Sequence, residues 1–471
     1  MSSINWTEEV NKRKEQFIKD TQEFLRIKSV MDEENATLEA PLGQGVQEAL
    51  QYMLTKGKQD GYAVKDVEHL AGHIEMGQGE DILGILCHVD VVPEGDGWSS
   101  DPFGAEIRDG KIFARGALDD KGPTMAAYYA MNIVKDLGLH LSKRVRMIIG
   151  TDEESDWRCV DTYFAKEEMP TLGFAPDADF PIIFAEKGIW DYYITQQPAK
   201  ESEENTEILV KEFASGRRFN MVPDYAKAVL QANGEAESVQ KAFREYVGQN
   251  GIKGSATLKG QLLTLEMEGV SAHGMEPRNG KNAGLYMVHF LNQLSLGEHA
   301  QSYFSFVDRY LWEDSRGNEF GIAYKDDSTG DVTLNIGRLS YSPESGGQIG
   351  INQRYPVTYD QGNAEKKLIK ILDEQSFALK TESHSAPHHV DKDSFLVRTL
   401  SDIYESQMGE PAELLAIGGG TYARSLEAGV AFGPLFQGRE DIAHQKDEYM
   451  YIDDLLKATA MYAEAIYRLA K

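Results

Sequence analysis

Five short runs in this chain end apolar stretches with acidic residues or histidine. They are ILCHVD (Ile85–Asp90), GALDDKG (Gly116–Gly122), IIGTDEES (Ile148–Ser155), FAPDAD (Phe174–Asp179) and, far downstream, DIAHQKDE (Asp441–Glu448). Each offers a hard or borderline metal ligand where a strand is expected to stop. His88 and Asp90 form an H-x-D pair. Alternate strand residues share a face, so Asp90 can take the second ring N–H of a metal-bound His88. Asp119 and Asp120 sit in a Gly-bounded turn before a helix. An Asp there can cap the helix, or its two oxygens can bridge two metals. Glu153 and Glu154 are adjacent and leave the backbone in different directions, so one can ligate while the other serves as general base. Asp177 follows Pro176, and His444 belongs to the last run. Two histidines and three carboxylates make a mixed N/O set suited to zinc and tolerant of manganese or cobalt. Five ligands exceed what one tetrahedral zinc takes. Two cations about 3.5–4 Å apart, sharing one carboxylate, would use them all and activate water against a carbonyl. The expected class is a metal-dependent hydrolase.

The elements that must position these residues alternate in kind. Asp81–Val92 is a near-continuous apolar run, as for a strand buried on both faces. Met125–Val134 reads as a buried helix, Arg144–Gly150 as a strand, Trp157–Lys166 as a helix and Leu172–Ala175 as a strand. Residues 5–28 and Val46–Leu54 have the spacing of amphipathic helices. This predicts an α/β catalytic layer with a mixed, largely parallel sheet flanked by helices, whose site lies at the strands' carboxyl ends. From about Gly188 to Ser385 the pattern changes to alternating stretches such as WDYYITQQ and DVTLNIGRLSYS. Helices are expected between them at Tyr225–Ala232, Glu237–Val247 and Ala283–Leu296. That is α+β with antiparallel pairing. Near Asp391 helical spacing resumes. A strand (LLAIGGG), a helix start (TYARSLEAG), the run VAFGPLF and a terminal helix from about Ile452 follow. The expected organisation is a first catalytic segment at 1–187, an inserted lid domain of two α+β subdomains at 188–386, and a second catalytic segment at 387–471. Gly418–Gly420 before Thr421 would present backbone N–H groups at a helix start, a natural anion site, or form a tight turn.

Composition narrows the partners. The formal net charge of -28 argues against nucleic acid or an anionic membrane surface. No apolar run approaches the roughly 18 residues of a membrane span, and the charged N-terminus lacks a signal-peptide core. The only two cysteines, Cys87 and Cys159, suggest neither a disulfide framework nor a cysteine-only zinc site. A cytoplasmic protein is expected.

HVDVVPEGDGW, RGALDDKGP, GTDEES, APDADFP and AHQKDE together resemble the zinc aminoacylase, carboxypeptidase and dipeptidase superfamily. With RRFNMVP (Arg217–Pro223), GVSAHGMEP (Gly269–Pro277) and NQRYPV (Asn352–Val357), and with the chain length, the resemblance is to PepV-type bacterial dipeptidases. It implies a zinc-exopeptidase-like catalytic domain and two divalent cations, zinc first, with Mn2+ or Co2+ tolerated. It makes Asp119 the bridging carboxylate. His88 and Asp177 would complete one cation, and Glu154 and His444 the other. Asp90 would orient the histidine and Glu153 would be the general base. His273 matches a lid histidine that reaches the substrate oxyanion. Asn220 and Arg354 match lid residues near the substrate's C-terminal end, where Arg354 could pair with a free carboxylate. The implied activity is hydrolysis of unblocked dipeptides; whether β-alanyl dipeptides are among them the sequence leaves open. The alternative is an N-acyl-amino-acid deacylase or carboxypeptidase of the same superfamily. Smaller relatives pair as dimers through their lids, so the larger inserted domain here implies a monomer acting on short peptides.

Overall fold

The structure, a computed structural model, describes residues 4–199 and 207–471. It divides into two compact units. One comprises residues 1–185, 389–416 and 420–471, the other residues 186–388 with Ile417–Gly419.

The first unit is built on a mixed sheet with a parallel centre. Strands Arg144–Gly150, Ile82–His88, Leu172–Ala175 and Gly429–Ala431 lie side by side in that order, all parallel. Antiparallel strands flank them: Ala71–Met76 and Ala63–Val67 on one side, Ile182–Glu186 on the other. Every residue of ILGILCH is buried, as a strand covered on both faces requires. Helix Lys121–Asp136 is sunk in this unit, its Ala, Met and Tyr residues buried nearly throughout. Pro123 occupies its first turn, where a missing N–H breaks no helical bond. The terminal helix Ile452–Ala470 packs along it with a broad apolar face of its own. The expected helix over 5–28 is interrupted at Lys12–Arg13 into Trp6–Asn11 and Lys14–Leu25.

The second unit carries one continuous antiparallel sheet of eight strands among the described residues. Its order is Lys253–Lys259, Leu262–Glu268, Tyr225–Ala232, Ile208–Ser215, Thr333–Ser342, Gly346–Tyr355, Gly188–Gln196 and Phe377–Ser385. Helices Ala236–Gln249, Ala283–Leu291, Glu298–Leu311 and Gln361–Glu374 bury their apolar faces in this unit's core. The two α+β subdomains expected within 188–386 therefore share a single sheet.

Two segments depart from expectation. Tyr225–Ala232, expected as a helix, is a strand between Ile208–Ser215 and Leu262–Glu268. Its alanines suit a helix, but Ala226, Ala228, Leu230 and Ala232 are buried while the residues between them are not. That period of two places small side chains under the helices, so tertiary pairing overrides propensity. The helix expected from Thr421 is only a 3-10 turn, Tyr422–Ser425. It lacks the length and aligned dipoles of an anion-binding helix terminus. Among the described residues no helix is long and apolar enough to cross a membrane.

Candidate metal centre

The parallel strands bring ligand-bearing residues to one edge of the first unit's sheet. His88 is the last residue of its strand. Glu153 and Glu154 follow Arg144–Gly150, and Asp177 follows Leu172–Ala175. These three strands are neighbours and point the same way, so the residues beyond their carboxyl ends converge. Asp119 and His444 reach the same place without a strand. Asp119 precedes the helix beginning at Lys121, and His444 lies in a loop at φ 64°.

Asp119 stands between the two histidines. Its Oδ1 is 3.0 Å from His88 Nε2 and its Oδ2 is 3.1 Å from His444 Nε2. Asp177 Oδ1 lies 3.7 Å from His88 Nε2, and Glu154 Oε2 lies 2.9 Å from His444 Nε2. Two sets of ligand atoms result, each gathered within 4.8 Å: His88, Glu153 and Asp177; and Asp119, Glu154 and His444. His88 is fully buried, whereas the His444 side chain is 52% exposed.

Neighbouring side chains fix the loops. Asp90 does two things. Its backbone carbonyl lies 3.1 Å from His88 Nδ1, with Oδ1 at 3.4 Å. Its carboxylate accepts the backbone N–H groups of Glu153 and Glu154 at 3.2 and 3.1 Å. Asp120 occupies the N-cap position but does not cap the helix. It accepts the His88 N–H at 3.1 Å, and the Thr124 hydroxyl at 3.0 Å. Asp152, buried, accepts from the backbone and guanidinium of Arg158 and closes the loop that carries both glutamates. The Tyr422 ring meets His88 edge-on at 5.9 Å and Trp157 at 5.5 Å. Among these, Asp120 and Asp152 stand within the five motifs, where their types alone do not separate them from capping or solvated acids. Tyr422 carried no sequence signal, because its role exists only through packing across distant segments.

The electrostatics are those of acids crowded out of water. Burial, then the charge of Asp177, pushes the Glu153 carboxyl well above the usual range. Burial raises Asp177 to about 6, and burial with the Asp119 charge raises Glu154. Burial would lift Asp119 too, but hydrogen bonds from His444 and His88 outweigh it and hold it low. Hydrogen bonds to Asp119 and Glu154 carry His444 up to about 10. So many buried carboxylates around two imidazoles fit a site that holds divalent cations.

The remaining expected site residues lie together in the second unit. Gly274 N–H donates to Asn220 O at 2.7 Å, and Met221 pairs with His273 in an antiparallel bridge. His273 Nδ1 accepts the Met275 N–H at 3.2 Å, so its neutral ring carries the proton on Nε2. Burial and the charge of Arg354 lower its pKa and keep it neutral. Arg354 is buried on its strand, donating from Nε to Asn352 Oδ1 at 2.9 Å and from Nη1 to Gly418 O at 3.4 Å. Arg354 and the Gly418 loop thus meet.

The model of Peptidase family M20/M25/M40 matches residues 84–468. The chain belongs to this family and is a peptide hydrolase of the metallopeptidase type. It is 54% identical over 470 residues to "Putative dipeptidase YtjP" of Bacillus subtilis, covering 99% of this chain and 100% of that protein. A "Putative dipeptidase" of Staphylococcus epidermidis is 47% identical, covering 98% of this chain and 99% of that one. Among solved structures, aminopeptidase PepT from Bacillus cereus superposes with TM-score 0.57 at 15% identity, covering 97% of this chain and 99% of that one. Aminoacylhistidine dipeptidase from Vibrio alginolyticus gives TM-score 0.57 at 11% identity, covering 96% of each. These neighbours share the fold of a catalytic domain with a lid.

Proposed function

We propose that this protein is a two-cation dipeptidase acting on unblocked dipeptides. The observation that carries it is Asp119, one oxygen toward His88 and the other toward His444, the disposition of a bridging carboxylate. The names of the curated relatives support the choice of dipeptide. His88, Asp119 and Asp177 would hold one divalent cation, and Asp119, Glu154 and His444 the other. Such a pair, zinc in our reading, supplies Lewis acidity toward a peptide carbonyl and lowers the pKa of water.

The chain's own residues do the rest. Glu153 takes the proton of the attacking water and delivers it to the leaving amine as the C–N bond breaks. Asp90 holds the Glu153 N–H and so fixes where that carboxylate starts. His273 donates from Nε2 to the oxyanion, a role that needs the neutral tautomer its Met275 hydrogen bond selects. Asn220 and Arg354 take the C-terminal end of the substrate, Arg354 pairing with its free carboxylate. Asn352 holds the guanidinium in register for that pairing.

A substrate panel tests the reading: dipeptides including β-alanyl-histidine, tripeptides, C-terminally amidated dipeptides and N-acetyl amino acids. Free dipeptides are expected to be cleaved fastest. Amidation is expected to cost at least tenfold in kcat/KM, and Arg354→Met to erase that difference. Faster cleavage of the acetylated compounds would instead assign the chain as a deacylase.

A further inference from the structure

We propose that the buried pair Arg115–Glu448 is a positioning device for the second cation, the one assigned to Asp119, Glu154 and His444. The proposal rests on the two-cation reading above. Glu448 is fully buried and Arg115 is 1% exposed. Arg115 Nη1 donates to Glu448 Oε2 at 2.6 Å. The other carboxylate oxygen accepts two backbone N–H groups, from Leu118 at 2.9 Å and Asp119 at 3.3 Å. Glu448 therefore grips the backbone of the very residue whose side chain stands between the two histidines. Its own carbonyl accepts the Ala114 N–H at 3.1 Å.

The same pair binds a third loop. Arg115 Nη2 reaches the carbonyls of Pro93 and Glu94 at 3.5 and 3.4 Å, and its guanidinium lies 5.3 Å from the Trp98 ring. Ser99 donates to Asp447, next to Glu448, from both N and Oγ. The segment after His88, the segment before Asp119 and the segment bearing His444 are thus tied at one buried point. A buried ion pair is costly to desolvate, and an apolar pair of similar volume often stabilises a fold as well or better. What an apolar pair cannot do is accept two N–H groups and orient three loops at once.

The consequence differs between the two cation sites. His88 ends a buried strand and is also gripped by Asp120, and Asp177 follows a neighbouring strand, so two of the first site's three ligands are held without the pair. His444 is half-exposed, lies in a loop, and is tied to Asp119 through Glu448 four residues on. Loosening the pair should free His444, which serves the second site alone, together with the backbone of Asp119, which serves both, and so weaken the second site the more.

The test is Mn2+ titration of chelator-stripped full-length protein by calorimetry, with thermal midpoints of the stripped proteins, for wild type, Glu448→Gln and Arg115→Met. Wild type is expected to take two ions. Each variant is expected to take one ion within a few-fold of wild type and the other at least tenfold more weakly, with a stripped-protein midpoint within a few degrees of wild type. Adding His444→Ala to Glu448→Gln should weaken only the already weakened ion further and leave the other as in Glu448→Gln, because both act on one site. Arg115→Lys, which keeps the charge but not the fork, gives an intermediate loss and serves if Arg115→Met does not fold. Two wild-type-strength sites in Glu448→Gln would overturn the proposal alone. So would parallel weakening of both sites with a collapsed midpoint, the mark of a general scaffold. Fewer than two ions on wild type would overturn the two-cation reading and the proposal with it.

Discussion

At the scale of single residues, the chemistry turns on neighbours that share a type but not a task. Glu153 and Glu154 are successive carboxylates in one loop, and Asp90 holds both of their N–H groups. Glu154 Oε2 approaches His444 at 2.9 Å, while Glu153 gathers with His88 and Asp177. Since Asp119 Oδ1 already lies 3.0 Å from His88, Glu153 is not needed to complete that cation's ligands. Glu153→Gln should then keep two cations and lose about 10²–10⁴-fold in kcat, the usual worth of a general base. Metal content by mass spectrometry beside kcat checks this; loss of one cation in the variant would make Glu153 a ligand. The adjacency of the two glutamates suggested a division of labour, and the parts proposed for them, Glu153 as base and Glu154 as ligand, are those the family resemblance implied. Asp119 and Asp120 show the same limit. Both could cap a helix, yet neither carboxylate is spent on capping: Asp120 turns to the His88 backbone and Asp119 to the imidazoles.

At the scale of elements, strands with strong patterns were legible and those relying on partners were not. Arg144–Gly150 and Leu172–Ala175 appear with the bounds their apolar runs predict. Tyr225–Ala232 does not, since its alanines become strand residues only when flanked on both sides. Packing between elements also sets a pH dependence. His73, on strand Ala71–Met76, is buried with Nδ1 2.8 Å from the Tyr163 hydroxyl of helix Arg158–Phe164. Burial, then the charge of Arg146, lowers its pKa to about 4. The unfolded chain protonates this histidine near pH 6.5 and the fold does not, so stability must fall as pH drops from about 6.5 toward 4. Between pH 7 and pH 5 the loss from this residue should be about 1–2 kcal/mol. Urea unfolding at both pH values should show a smaller acid loss in His73→Gln than in wild type; equal losses would refute the assignment.

At the scale of the whole molecule, a discontinuous first unit encloses, in sequence, a second unit with its own sheet and core. A net charge of -28 sets the chain against polyanionic partners. We take the large inserted unit to make pairing through it unnecessary and propose a monomer. Sedimentation equilibrium at micromolar concentration should return the mass of one chain, and a concentration-dependent dimer mass would refute this.

The sequence alone determined the kind of chemistry and the alternation of elements, because ligand types and apolar periodicity are local properties. Only the tertiary structure brings the candidate ligands together in space. Parallel strands carry His88, Glu154 and Asp177 to one edge, and Asp119 meets His444 across more than three hundred residues of chain. It also pairs Arg115 with Glu448 in the interior and sets Glu448 on the Asp119 N–H. A buried acid and a solvated one are spelled alike, and only packing tells them apart.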